Sequence, residues 1–124
     1  MRRSDQRRDA VFACYQRDVT GRAQEEDLVA AKPFTRQLVE GVDEHREELD
    51  ELIRRHSQGW TLERISPLDR NIMRVALYEV RHREDVPTEV AIDEAVELAK
   101  RYSGANAPGF VNGVLGAAVR ETVP

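Results

Sequence analysis

A cluster of arginines at the amino-terminal end of the chain could bind phosphate groups. Arg3 and Arg7 are four residues apart, so a helix would carry both on one face, with Arg2 and Arg8 beside them. A guanidinium group can donate two hydrogen bonds to a phosphate and can also stack on a base. Asp5 interrupts the cluster and would repel phosphate. From the charges alone two interpretations remain open: a contact region for single-stranded RNA, or a solvated, frayed terminus.

The histidines and the single cysteine form no recognisable catalytic or metal-binding pattern. His45 and His56 are eleven residues apart on the apolar face of a predicted helix, and no cysteine or paired histidine completes a zinc signature. Cys14 is the only cysteine, so no intramolecular disulfide can form, and we predict a small core residue there. No Ser–His–Asp order or glycine-rich phosphate loop is present. We therefore expect no catalytic residue, no metal ligand and no cofactor, and we interpret His45, His56 and His82 as structural.

The composition favours one compact domain with a buried core and a charged surface. The chain has 124 residues, which suits a single core, and its 40% hydrophobic and 34% charged residues suit helices with one buried face. The net charge is −4, but basic residues gather at the amino terminus and acidic ones within residues 40–51, so the chain could bind two different partners. No apolar run approaches the roughly 20 residues of a membrane span, and no signal peptide is recognisable. We therefore predict a cytoplasmic protein.

Apolar residues recur at helical spacing through most of the chain, and nowhere do they alternate as in a strand. Ser66 followed by Pro67 is typical of a helix start, and Ser4 is the predicted N-cap of the first helix. Gly41 lies inside a predicted helix, where glycine costs about 1 kcal/mol relative to alanine, so we expect close packing against another helix there. The predicted elements are helices at 4–19, 35–57, 66–83, 88–102 and from 106 or 107 onwards, a short turn at 61–65 and a polar connection at 21–34.

Three motifs in a fixed order between residues 60 and 116 resemble the NusB family. They read WTLERISPLDRNIMRVALYEV at 60–80, DVPTEVAIDEAVELAKRY at 85–102 and FVNGVLG at 110–116. Upstream, the arginine-bearing first helix with ACY at 13–15 and the segment LVEGV at 38–42 also match. The resemblance covers nearly the whole chain apart from the connection at 21–34.

The resemblance implies a fold, an activity and a set of partners. The fold would be all-α, a compact helical bundle of about six or seven helices in one domain, with two packed subdomains at 1–58 and 59–124. The activity would be transcription antitermination without catalysis or a cofactor. The partners would be boxA RNA, the small-subunit ribosomal protein NusE and the antitermination complex on RNA polymerase, mainly at ribosomal RNA operons.

The resemblance also favours particular contact residues. It supports the arginine cluster as an RNA contact and places Tyr15 near the RNA or NusE, although a half-buried packing role stays open. A second candidate RNA surface comprises Lys100, Arg101, Phe110 and Asn112, because asparagine can read a base edge and the cations can meet phosphates. The expected NusE contacts are Tyr15, Glu63 and Asp69.

Some of these residues have structural alternatives. Phe110 could belong to the core, Asn112 could pack or cap a helix, and Asp69 could stabilise the amino-terminal end of its own helix. For Glu79 we expect an internal ion pair with Arg74 or Arg83.

Two other functions stay open at this point. Certain ribosomal RNA cytosine methyltransferases carry the same helical fold as an amino-terminal module, so the chain could be an RNA-binding module detached from such an enzyme. It could instead be a helical interaction protein that self-associates, since some relatives form homodimers. A measurement of molecular mass in solution would distinguish a monomer from a dimer.

Overall fold

The computed structural model describes residues 2–22 and 31–122, and within these ranges the chain is all-α. It contains six α-helices and one 3-10 helix, and no strand, in the described part of the chain. The predicted all-α bundle is thereby confirmed, whereas any helical turn at 23–30 lies outside the described residues. The helices are α1 (Arg3–Thr20), α2 (Pro33–Glu44), α3 (Arg46–His56), α4 (Pro67–His82), α5 (Thr88–Tyr102) and α6 (Ala107–Thr122), with the 3-10 helix at Leu62–Arg64.

The ends of the helices follow local capping chemistry. The Ser66 hydroxyl accepts a hydrogen bond from the backbone N–H of Asp69, and Pro67 occupies the first helical position, as predicted. At the other end of α1, Gly21 takes the left-handed conformation (φ 71°), and its N–H bonds to the carbonyl of Arg17. Ser4 is not the cap of α1, because its hydroxyl donates to the Glu94 carboxylate instead.

The predicted helix at 35–57 is two helices, because the backbone bends at His45 (φ −105°, ψ 18°). The bend lets the two segments bury against different neighbours: α2 packs on α1 and α4, whereas α3 packs on α4 and α6. Glu47 and Glu48 then lie in the first turn of α3, where the helix dipole favours negative charge. The apolar spacing is the same throughout residues 35–57, so the sequence did not indicate that its two halves pack against different helices.

Helix α4 lies at the centre of the described bundle, in contact with each of the other five described helices. Of its apolar stripe, Ile72, Met73 and Leu77 are at most 1% exposed, whereas Val80, also expected to be buried, is only partly so. Buried side chains from all six helices form one continuous core, which includes Cys14 as predicted. Burial raises the pKa of the Cys14 thiol to about 12. No described helix is long and apolar enough to cross a membrane.

Gly41 lies directly against the ring of Tyr78, where a β-carbon would overlap the ring atoms. Glycine is therefore required at this point because α2 and α4 approach each other closely. The expectation of close packing at Gly41 is confirmed.

A network of hydrogen bonds and ion pairs connects the carboxyl-terminal end of α1 to α3 and α4. The Asp18 carboxylate accepts hydrogen bonds from Arg70 (2.7 Å), Asn71 (2.9 Å) and Arg74 (3.0 Å), and Arg74 also donates to Asp50 (2.7 Å). Desolvation alone would raise the pKa of Asp18, but the hydrogen bonds from Arg70 and Asn71 and the two guanidinium charges lower it to about 2. Asp18 is therefore an ionised anchor between three helices.

Candidate nucleic-acid interface

The structure separates Arg7 from the other arginines of the amino-terminal cluster. Arg7 is 4% exposed, and its Nε donates to both carboxylate oxygens of Glu79 at 2.9 and 3.0 Å. Burial raises the pKa of Glu79, and the charge of Arg7 opposes that effect. The expected internal ion pair of Glu79 thus exists, but with Arg7 and not with Arg74 or Arg83. In this arrangement Arg7 does not present its guanidinium group to an RNA strand.

Arg3, the first residue of α1, lies at the surface. Its guanidinium group donates to Asp85 at 2.8 Å and lies over the Phe34 ring, 4.3 Å from the ring centroid. Hydrogen bonds from Arg83 and Arg3 hold the pKa of Asp85 well below its usual range. Arg3 remains 47% exposed at its side chain, so it can still meet solvent-borne groups.

The remaining cations of the cluster meet α5 at an open groove. We name this the α1–α5 groove, and it brings Arg2 and Arg8 of the first candidate surface together with Arg101 of the second. Lys100 is exposed next to Arg101 but does not line the groove. The groove is lined by Arg2, Ser4, Asp5, Arg8, Val90, Asp93, Glu94, Glu97, Leu98 and Arg101.

Every arginine of the α1–α5 groove already has a carboxylate neighbour. Arg2 and Arg8 lie 3.8 and 3.4 Å from Asp5, and Arg101 lies 3.8 Å from Glu97. These pairs are partly or fully exposed, and exposed pairs of this kind contribute only about 0–1 kcal/mol, so a phosphate can compete for the cations. Three guanidinium groups nevertheless face four carboxylates in the lining, which limits the attraction for a polyanion.

An exposed aromatic pair lies on the same two helices. The rings of Phe12 and Tyr102 meet edge to face with centroids 5.1 Å apart, and the residues are 37% and 42% exposed. Phe12 is one helical turn after Arg8, and Tyr102 follows Arg101. Exposed rings beside cations can stack on bases of a single strand. The sequence does not indicate this pair, because Tyr102 continues the apolar spacing of Ala95, Leu98 and Ala99 and is therefore expected on the buried face of α5.

The other predicted RNA residues lie outside the α1–α5 groove. Phe110 is half-buried and packs against the core, whereas Asn112 is exposed on α6. Tyr15 is 36% exposed, one turn along α1 from Phe12. The structure therefore brings Arg2, Arg8 and Arg101 together at the α1–α5 groove, with the Phe12–Tyr102 pair on the same two helices, whereas Phe110 and Asn112 lie outside the groove.

The two acidic residues predicted to contact a protein partner differ in exposure. Glu63 is exposed on the 3-10 helix. Asp69 is 9% exposed, and its Oδ1 accepts a hydrogen bond from the Ser103 hydroxyl at 2.6 Å. Asp69 thus joins the start of α4 to the end of α5, and it also lies at the positive end of α4.

The described residues define a small all-α protein with a mixed-charge groove and an exposed aromatic pair on α1 and α5. The family model described as NusB family matches residues 4–120, and the chain belongs to the NusB family. The NusB family comprises antitermination factors, and the chain is not an enzyme.

Individual relatives resemble the chain over nearly its whole length. It is 46% identical over 122 residues to the transcription antitermination protein NusB of Geobacillus kaustophilus, covering 93% of each chain. It is 46% identical over 123 residues to the protein of the same name from Rubrobacter xylanophilus, covering 93% of this chain and 88% of the relative.

Solved structures resemble the fold to a similar extent. A T. maritima NusB structure superposes with a TM-score of 0.90 at 33% identity, covering 100% of this chain and 94% of that one. NusB in a crystal structure of the antitermination factors NusB and NusE with dsRNA gives a TM-score of 0.80 at 26% identity, covering 98% and 99%.

Proposed function

We propose that the chain is a transcription antitermination factor that binds RNA together with the ribosomal protein NusE. Its relatives carry the name transcription antitermination protein NusB, and a similar chain has been solved with NusE and dsRNA. The RNA is a single strand of boxA type, and the assembly acts on RNA polymerase at ribosomal RNA operons. This activity places the protein in the cytoplasm.

The observation that carries the proposal is the grouping of Arg8, Arg101, Phe12 and Tyr102 on neighbouring faces of α1 and α5. Arginines supply hydrogen bonds to phosphates, and aromatic rings supply stacking surfaces for bases. The four carboxylates of the α1–α5 groove keep the affinity of the isolated protein low. A basic ribosomal partner then contributes the missing attraction and neutralises nearby acidic groups.

Within this proposal the predicted residues have different roles. Arg2, Arg8 and Arg101 are the primary phosphate contacts, with Arg3, Lys100, Asn112, Phe110 and Tyr15 as outer contacts along the path of the strand. Arg7 is a positioning residue, because its ion pair with Glu79 fixes α1 on α4. Glu63 and Tyr15 contact NusE directly, and Asp69 holds the start of α4 in place. The proposal keeps the two packed subdomains expected from the sequence, residues 1–58 and 59–124.

A gel-shift experiment with boxA RNA and a scrambled RNA, each with and without NusE, tests the proposal. We expect weak binding alone, tighter binding with NusE, and preference for boxA. If about four phosphates are neutralised, log K should fall with log salt at a slope of about −3. Equal binding of the two RNAs in the presence of NusE, with no dependence on salt, would contradict the proposal.

Self-association is a second candidate function, favoured by an exposed stripe on α1. Phe12, Tyr15 and Val19 are 37%, 36% and 54% exposed at helical spacing, so a second copy could cover them. Such a homodimer would compete with RNA at the adjacent groove. Sedimentation equilibrium with and without boxA RNA distinguishes RNA binding from self-association. A dimer that neither binds the RNA nor dissociates when RNA is added would favour self-association.

A further inference from the structure

Two histidines and a glutamate from separate parts of the chain meet beside the bend between α2 and α3. We name His45, Glu48 and His82 the His–Glu cluster. The Nε2 atom of His82 lies 3.1 Å from a Glu48 oxygen, and the Nδ1 atom of His45 lies 3.5 Å from the other. One nitrogen from each histidine and a Glu48 oxygen all lie within 4.8 Å of one another. The side chains are about one-third exposed or less: 29% for His45, 32% for Glu48 and 28% for His82.

We propose that the His–Glu cluster binds a divalent metal ion that prefers imidazole ligands, such as Zn²⁺. Imidazole nitrogens and a carboxylate are ligands that zinc accepts, and three protein ligands leave a fourth position for water. In a tetrahedral site with bonds of about 2.0–2.1 Å, neighbouring ligand atoms lie roughly 3.3 Å apart. The widest ligand separation, up to 4.8 Å, therefore needs to contract by up to about 1.5 Å, and the proposal requires side-chain rotation about the existing backbone to supply it.

Two of the ligands come from the start of α3 and the third from the end of α4. Glu48 lies three residues after His45, so the first turn of α3 carries both on one side. His82 comes from the last turn of α4, which contacts both α2 and α3. Because His82 is 37 positions from His45 in sequence, the spacing of the histidines gave no sign of the cluster.

A positively charged side chain adjoins the carboxylate of the His–Glu cluster. Arg81 Nε lies 2.7 Å from a Glu48 oxygen in an ion pair that restricts the orientation of the carboxylate. Glu48 contributes a carboxylate, which is an anionic ligand at neutral pH. Arg81 remains a competitor for the same oxygen, which limits the affinity.

Metal binding must change the contact between the two imidazole rings. The rings of His45 and His82 stack with centroids 3.8 Å apart and an angle of 16° between their planes. A ligated metal lies near the plane of each ring, so a shared ion forces one ring to rotate out of the stack. This rotation distinguishes a shared site from an ion held by one histidine alone.

Titration of the full, tag-free chain with ZnCl₂ tests the proposal, with calorimetry as the readout. We expect one ion per chain. His45→Ala and His82→Ala should each weaken binding by at least about 100-fold, because loss of a direct ligand exceeds the 10- to 100-fold effect of outer partners. Glu48→Gln provides an independent variant that keeps both rings. His56→Ala is the matched control, since His56 pairs with Glu121 elsewhere on the surface and should leave binding unchanged.

A second readout follows the rings themselves. In imidazole-region NMR spectra, Zn²⁺ should shift the ring protons of both His45 and His82 at one equivalent, and leave those of His56 in place. Circular dichroism confirms that each variant is folded. The proposal is overturned if no binding is detected with excess Zn²⁺, if the affinity survives His45→Ala or His82→Ala, or if it depends on His56.

Discussion

The Arg7 guanidinium group and the Glu79 carboxylate form a buried ion pair that joins α1 to α4. Arg7 Nε lies 2.9 Å from one carboxylate oxygen and 3.0 Å from the other, and the side chains are 5% and 1% exposed. Arg7 Nη1 also lies 3.6 Å from Glu94 on α5. The pair fixes how α1 lies on α4 and α5, and thereby where Arg8 and Phe12 lie at the surface.

Arg7→Ala should destabilise the fold and not simply weaken RNA binding. The substitution leaves the Glu79 carboxylate buried without its cation, which costs about 3–5 kcal/mol in comparable pairs. Urea denaturation measures the loss. Arg3→Ala is the matched control from the same cluster, and it should cost less than about 1 kcal/mol because Arg3 is exposed. Equal stability of the two variants would contradict the role of the pair.

Phe12→Ala and Tyr102→Ala should each weaken RNA binding while leaving the fold intact. Loss of one base-stacking contact costs about 1–3 kcal/mol of binding free energy. Fluorescence anisotropy with labelled boxA RNA and NusE measures the change. Val19→Ala is the control, because Val19 is exposed on the same helix farther from the groove. An affinity equal to that of the unmodified chain in both aromatic variants would remove the pair from the RNA surface.

Glu63→Lys should weaken association with NusE without a change in stability, because Glu63 is exposed and a basic partner would be repelled. Asp69→Lys is expected to behave differently. It removes the hydrogen bond to Ser103 and places a cation at the positive end of α4, so it should lower the free energy of unfolding as well. Calorimetric titration with NusE and thermal melts separate the two effects. Unaltered NusE binding by Glu63→Lys would remove Glu63 from the interface.

Two glycine substitutions should have opposite effects on stability. Gly41→Ala places a methyl group against the Tyr78 ring and should cost about 1–3 kcal/mol, as for other overpacked sites. Gly113→Ala places a methyl group in open space within α6, and its better helix propensity should add about 1 kcal/mol. Thermal denaturation measures both. A neutral Gly41→Ala variant would show that α2 and α4 can separate without cost.

Stability should fall in acid as Asp18 is protonated. Its folded-state pKa, about 2, lies below the ordinary value of 3.8, so Asp18 stabilises the folded state fully above that value and loses its effect as pH falls toward 2. The contribution is about 1–2 kcal/mol, allowing for solvent screening. Urea midpoints measured between pH 5 and pH 2 test this. Asp18→Asn should be less stable at pH 5 and show a flatter acid dependence, and an unchanged dependence would contradict the assignment.

The sequence was most informative where one local rule determined the structure. Ser66 with Pro67 marked the start of α4, and Gly41 indicated a close approach of two helices. The bend at His45 was not predicted, because α2 and α3 carry the same apolar spacing and differ only in the helices that they contact. Boundaries within a continuous helical pattern depend on those tertiary neighbours.

The site was less predictable than the fold, for the same reason. Arg3 and Arg7 share helical spacing, yet one is at the surface and the other is buried, because only Arg7 lies over Glu79. The aromatic pair of Phe12 and Tyr102 required the relative placement of α1 and α5. Charge and spacing along one helix therefore predicted that arginines and aromatic residues would form the candidate site. They did not predict which of these residues would face solvent.

The central position of α4 has a consequence for hydrogen exchange. Because α4 contacts the five other described helices, we expect the amides in its buried middle to reach solvent only when the bundle opens. Amides near Met73 and Leu77 should therefore exchange only through global unfolding, so their exchange rates report the free energy of that process directly. Any ligand that selects the folded chain should slow exchange there, even when it binds far from α4.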